Sequence, residues 1–190
     1  MKKTTLIILL LSGIAGLVFA NGNDLVIIET DSGRIVVELF SEKAPVHSKN
    51  FKKLADQGFY NGTSFHRIAP QFVIQGGDPL SKDDDPSNDG SGGTGYLLPA
   101  EIGEKHLRGR LGAARMGDAV NPARKSNGSQ FYICLEDLPQ LDALGYTIFG
   151  QVVEGMDVVG KIARMPVRGQ TPLIPVRMRR VFVQRAEKKP

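Results

Sequence analysis

Tryptophan is absent from this 190-residue chain, cysteine occurs once and histidine three times. The lone Cys134 cannot close an intrachain disulfide, so the cysteine count gives no sign of an oxidising compartment. Its place in the apolar run Phe131-Tyr132-Ile133-Cys134-Leu135 reads as a small buried residue. His47, His66 and His106 lie far apart, with no cysteine or acidic partner at ligand spacing, so no metal constellation is expected. There is no Gly-x-Ser-x-Gly elbow, and an exported hydrolase would rest only on scattered serines and histidines. Neither Gly76-Gly77 nor Gly92-Gly93 is followed by Gly-Lys-Ser/Thr, which removes a phosphate loop. The run Asp83-Asp84-Asp85 lacks the alternating ligands of an EF-hand and reads as a solvated loop tip. Internal repeats and signs of a second domain are also missing.

Lys2 and Lys3 precede an apolar run over 6–18, and Val18-Phe19-Ala20 closes it with a small-x-small pattern. This predicts a secretory signal at 1–20 and a periplasmic or secreted protein. The run is short for a membrane span of roughly 20 residues, so no stable insertion is expected after cleavage. The alternative is an inner-membrane anchor formed by an uncleaved signal. Without the two leader lysines, the 24 basic side chains become 22 against 20 acidic ones, a nearly neutral balance. Arg177, Arg179, Arg180, Arg185, Lys188 and Lys189 read as a solvated strand face and a short basic tail. Stacking aromatics do not accompany them, so no nucleic-acid partner is expected.

Residues 21–190 read as a single domain. β-branched runs at 26–30 and 34–40 flank Asp31-Ser32-Gly33, a hairpin signal. Pro45 opens a helix with Val46, Phe51, Leu54 and Ala55 as its apolar stripe, and Gly58 ends it. Strands are expected at 64–68, 72–75, 111–115, 129–135, 146–153 and 177–184, with a second helix over 155–165. The stretches 76–99 and 117–128 read as loops. A linker is expected between 135 and 146. Many short strands and two helices predict a mainly β fold, a closed β-barrel capped at each end.

The densest chemistry lies in Phe65-His66-Arg67-Ile68 and Phe72-Val73-Ile74-Gln75-Gly76-Gly77-Asp78. Strand alternation places Arg67 and Phe65 on one face and His66 and Ile68 on the other; Val73 and Gln75 share a face on the next strand. A guanidinium, an amide and apolar groups on one surface suit a proline-containing peptide.

These blocks, with Asn127-Gly128-Ser129-Gln130-Phe131-Tyr132-Ile133 and Phe149-Gly150-Gln151-Val152-Val153-Glu154-Gly155-Met156, resemble the signature blocks of the cyclophilins, the peptidyl-prolyl cis-trans isomerases. The resemblance follows the family's order from the first hairpin to the last strand. It implies a closed, roughly eight-stranded antiparallel barrel capped by two helices, with a groove on the outer barrel surface and Arg67 as the catalytic arginine. It implies substrate contacts from Phe72, Val73, Gln75, Ala114, Arg115, Gln130, Tyr132, Leu141 and Tyr146. Tyr132 stands where the family usually has the phenylalanine that floors the proline pocket. Gln140 stands where many members carry a tryptophan that contacts cyclosporin, so weak cyclosporin binding is expected. The implied chemistry needs no metal or cofactor. The implied partners are proline-containing peptides and unfolded exported proteins, with the enzyme acting as a monomer. A non-catalytic peptide-binding module would share the groove and differ only in its demand for Arg67. The loop 117–126, beside the groove, reads either as a tuner of substrate choice or as an idle insertion.

Overall fold

The computed structural model describes residues 24–186; the expected leader at 1–20 and Lys188 and Lys189 of the tail lie outside the described residues. Strands β1 (Leu25–Thr30) and β2 (Gly33–Leu39) form the expected hairpin. Helix α1 (Pro45–Asp56) begins at Pro45 with no cap from its neighbouring side chain. Its first free N–H groups, those of Val46 and His47, instead donate to the Glu101 carboxylate at 2.9 and 3.0 Å. Phe51, Leu54 and Ala55 face the core as expected, but Val46 is exposed and His47 is buried in its place. That exchange follows from the Glu101 contact, which also takes His47 Nδ1 at 2.6 Å.

The chain then forms β3 (Arg67–Ala69), β4 (Val73–Gly76), β5 (Leu97–Leu98), β6 (Arg110–Ala113), β7 (Ser126–Asn127) and β8 (Phe131–Cys134). There follow α2 (Pro139–Ala143), β9 (Ile148–Glu154), α3 (Met156–Ala163), β10 (Val167–Arg168), β11 (Thr171–Pro172) and β12 (Met178–Gln184). Helix α2 is a correction to the expected linker: Pro139 begins a short helix that turns Leu141 inward. The stretch 76–99 contains a 3-10 turn at Pro79–Lys82 and the strand β5, which pairs with β7.

Eight strands form one antiparallel sheet in the order β12-β1-β2-β9-β6-β8-β4-β3. The sheet curls until its two edges meet through the chain just before them. Ser64 and Arg177 form a single antiparallel bridge, Phe65 N donates to Val176 O at 3.0 Å, and Met178 N donates to Thr63 O at 2.7 Å. Closure therefore rests on an irregular seam and not on a full ladder.

Period-two alternation decides what each face carries. Val26, Ile28, Ile35, Ile74, Phe131 and Ile133 point into one core, which α1 and α3 cover with Phe51, Leu54, Val159 and Ile162. Phe51 and Phe131 meet edge to face at 5.2 Å, and Tyr60 and Phe65 complete the aromatic cluster. On the opposite face of β4 and β8, Val73, Tyr132 and Cys134 join Ala69, Leu138 and Leu141 in a second, smaller cluster. Burial pushes the Cys134 thiol up to about 12.

Phe65 breaks the alternation expected for it. It is fully buried in the main core, as is Ile68, while Arg67 faces outward. The regular strand begins only at Arg67, so the seam residues before it follow no two-residue period.

Candidate active site

Sheet register aligns four residues across four strands. Arg67 pairs with Gln75, Gln75 with Tyr132, and Tyr132 with Gly112. All four lie on the outer face, at the edge of the smaller cluster. A neighbouring row, Ala69-Val73-Cys134, supplies apolar ground beside it. The connection between β3 and β4 is tight, with Gln71 at φ 59, and this keeps Arg67 and Gln75 in register.

A cavity of about 190 Å³ opens on this row, lined by Arg67, Phe72, Val73, Gln75, Ala114, Arg115, Tyr132, Leu141 and Tyr146. Nine of the ten residues named from sequence thus converge on one hollow. Gln130 is not among them. It is buried behind Gln75, where its Oε1 accepts from Gln75 Nε2 at 2.9 Å.

The polar wall is a one-way relay. Gln130 Nε2 donates to the carbonyls of Gly90 and Gly92 at 2.9 and 2.8 Å, which leaves its Oε1 to accept. Gln75 Nε2 fills that acceptor, so Gln75 Oε1 must face Arg67, whose Nη1 donates to it at 3.0 Å. Arg67 Nε donates to Gln170 Oε1 at 2.6 Å, and the Gln170 carbonyl accepts from Ile68 N at 2.8 Å. The relay ends in a loop clamped by Asp78, fully buried, which accepts from Leu80, Gly90 and Gly92 N–H groups. Only glycine fits at 92, because a Cβ there would meet Asp78 Oδ1 at 2.2 Å.

Arg67 is thereby held at two nitrogens, and its Nη2 has no partner among the described residues. Its Cζ lies 5.9 Å from the centre of the Phe72 ring. Burial lowers its pKa from the usual arginine value, a shift that still leaves a permanent cation.

Arg115 forms the opposite wall, with its Cζ 4.3 Å from the Tyr146 ring centre. It donates to Leu144 O at 2.5 Å and pairs with Asp118 at 2.7 Å. Arg124 pairs with the same Asp118 at 2.8 Å, so the loop 117–126 is tied to the pocket wall and does not hang free. Ala114 N donates to Gln130 O and Ala114 O accepts from Asn127 N, so this backbone is already engaged within the fold.

Three polar residues here are not placed at the site by the sequence reading. Gln170 sits in the β10–β11 hairpin, 103 residues from its partner, with no motif around it. His106 and Asp142 meet beneath Tyr132, 36 residues apart, a spacing that no ligand or triad pattern flags.

A charged fork fixed beside an apolar hollow, with an amide between them, can hold a peptide with a compact ring. The family of cyclophilin type peptidyl-prolyl cis-trans isomerases matches residues 25–183. A peptidyl-prolyl cis-trans isomerase of Helicobacter pylori is 41% identical over 140 residues, 71% of this chain and 77% of that protein. One of Acinetobacter baylyi is 38% identical over 162 residues, 83% of this chain and 81% of that protein. A cyclophilin type isomerase of Cryptosporidium parvum, solved in the presence of the dipeptide Ala-Pro, superposes with a TM-score of 0.74 at 31% identity, covering 84% of this chain and 98% of that one. With nearly the whole described fold matched and the hollow lined as above, the chain belongs to the cyclophilin-type peptidyl-prolyl cis-trans isomerases.

Proposed function

We propose that the enzyme turns X–Pro bonds in exported proteins as they fold, with Arg67 as the catalytic residue. The observation that carries this reading is the Arg67 fork, pinned at Nε and Nη1 with Nη2 left for a ligand at the edge of the hollow.

An X–Pro amide resists rotation by roughly 18–20 kcal/mol because its C–N bond is partly double. At the half-turned geometry conjugation is lost, and the proline nitrogen becomes pyramidal and gains a lone pair. A fixed donor near that nitrogen stabilises the twisted state more than either planar one. Arg67 suits this role because it donates without giving up its proton. Phe72, Tyr132 and Leu141 would hold the pyrrolidine ring, and Gln75 the backbone before it. Lowering the barrier by about 7 kcal/mol corresponds to roughly 10⁵ in rate. A relative with Ala-Pro present in its crystals supports this class of ligand.

Export rests on the leader pattern at 1–20, and among the described residues no helix is long and apolar enough to cross a membrane. The mature N-terminus of the protein recovered from its source, read by mass spectrometry, tests this. A chain beginning near residue 21 outside the cytoplasm is the expected result, and an intact leader on a cytoplasmic protein refutes it.

For the chemistry, Arg67→Ala should keep the fold and lose about two orders of magnitude in kcat/KM on a short proline peptide. Near-normal turnover in that variant would remove Arg67 from the catalytic role.

A further inference from the structure

A chain of three polar side chains runs under the hollow, and the isomerisation reading above makes no use of its connection. His106, in the loop before β6, has a fully shielded side chain. Its Nδ1 lies 2.6 Å from Asp142 Oδ1, which also accepts from the His106 backbone N–H at 2.8 Å. Its Nε2 lies 2.8 Å from the Tyr132 hydroxyl. The His106 and Tyr132 rings are nearly parallel, 15° apart with centroids at 6.0 Å. Gly112 lies directly under the Tyr132 ring; a Cβ there would be 2.1 Å from Tyr132 Cζ.

The polarity of this chain follows from its ends. An ionised Asp142 can only accept, so Nδ1 of His106 carries the hydrogen. Nε2 is then a bare acceptor, and Tyr132 gives its only O–H hydrogen to it. Burial lowers the pKa of His106, with Asp142 opposing, and raises that of Tyr132 well above its ordinary value. Burial would raise Asp142, but the hydrogen bonds from His106 outweigh it and hold its carboxyl below the usual range.

Resting on the reading of this hollow as the proline site, we propose that His106, oriented by Asp142, is a positioning residue that draws the Tyr132 hydroxyl hydrogen away from the pocket, so that the floor presents only carbon to the substrate ring. When His106 gains a proton, Nε2 becomes a donor and the Tyr132 oxygen must accept. The hydroxyl hydrogen then turns away, and among the described residues no second partner awaits it. An unpaired donor in the floor, with a cation below it, disfavours an apolar ring.

The groups that bear on this chain come from every side. Asp142 comes from α2, Tyr132 and Cys134 from β8, Tyr146 from the turn before β9, Arg115 from beyond β6, and Lys105 from the loop of His106 itself. Of these, Asp142 is held low, and Tyr132 and Cys134 are held high, so none of the three titrates between pH 5 and 7. His66, beside Arg67, is also lowered by burial, but its ring edge lies by the position of Gly90 and makes no contact with Tyr132 in the chain described.

The test is kcat and KM for a short proline peptide, measured by NMR exchange between pH 8 and 5 on the folded protein. Wild-type turnover at pH 7.5 tests the isomerase reading alone. The inference expects KM to rise about tenfold as pH falls through a midpoint below 6.5, with kcat changing less. The ¹⁵N shifts of His106 at pH 7.5 should show hydrogen on Nδ1. In Tyr132→Phe the KM step should vanish, whatever the absolute rate. In Asp142→Asn the midpoint should move lower, because the anion that favours the charged ring is gone. A flat wild-type KM profile, hydrogen on Nε2 at pH 7.5, or an undiminished step in Tyr132→Phe would each overturn the proposal.

Discussion

Arg67 Nε donates to Gln170 Oε1 at 2.6 Å, joining an outward-facing residue of β3 to a hairpin turn 103 residues later. Gln75 holds Nη1 and Gln170 holds Nε, and both must stay fixed if Nη2 is to meet a ligand. Gln170→Ala should lower kcat/KM about three- to tenfold, mostly in kcat, because a loosened fork forfeits part of its transition-state preference. Gln170→Glu keeps an acceptor at the same reach and should recover most of the loss. An equal loss in both variants would show that the side-chain contact does not matter.

Gly112→Ala tests the floor from below. Gly112 does not need glycine for its backbone, since its φ is not in the left-handed region; it needs the space that the Tyr132 ring occupies. Overpacking of this kind costs about 1–3 kcal/mol. Thermal unfolding should shift down accordingly, and KM should rise as the ring tilts. Unchanged stability and KM would mean that the floor yields easily.

Cyclosporin binding should be weak. Gln140 is exposed at the start of α2, next to Leu141 at the hollow, and offers neither the apolar area nor the indole donor of a tryptophan. Gln140→Trp should tighten binding by an order of magnitude or more on calorimetric titration. A nanomolar complex with the wild-type protein would contradict this expectation.

Stability should fall on acidification in two stages. Burial holds the pKa values of His47, His66 and His106 below the ordinary 6.5, so the unfolded chain takes up protons first as pH drops through that value. Their contribution is complete above 6.5 and is lost as pH falls toward their folded-state values. Below about 4.5 the lowered Asp24, Asp31, Glu101 and Asp142 act in the same direction, while Asp89, raised by burial, opposes them weakly. Urea midpoints at pH 8, 6 and 4 should therefore decrease in that order. A midpoint higher at pH 6 than at pH 8 would refute the histidine stage.

How far the site can be read from sequence depends on sequence distance. Arg67, Val73 and Gln75 lie on two short strands joined by a tight turn, so alternation alone brings them to one face. The same rule fails at Phe65, two residues earlier, because the seam imposes no regular period there. Tyr132 comes from a signature block and register completes its row, while Leu141 lies outside the blocks and follows from the resemblance alone. Gln130 lies within a signature block, and the resemblance implies a substrate contact from it; its place behind Gln75 depends on the Asp78-clamped loop, which no local pattern encodes. Gln170, His106 and Asp142 act through long-range contacts between side chains of ordinary polar type, which carry no periodic signal. The short helix α2 was hidden in a stretch too brief to show a helical stripe.

Cys134, sealed against solvent with its proton tightly held, has one further consequence. The folded protein offers no thiolate to peroxide, to a neighbouring mixed disulfide or to another copy of itself. It should keep its activity through storage in air without added reductant, and its mass should stay free of glutathione adducts until the fold is opened.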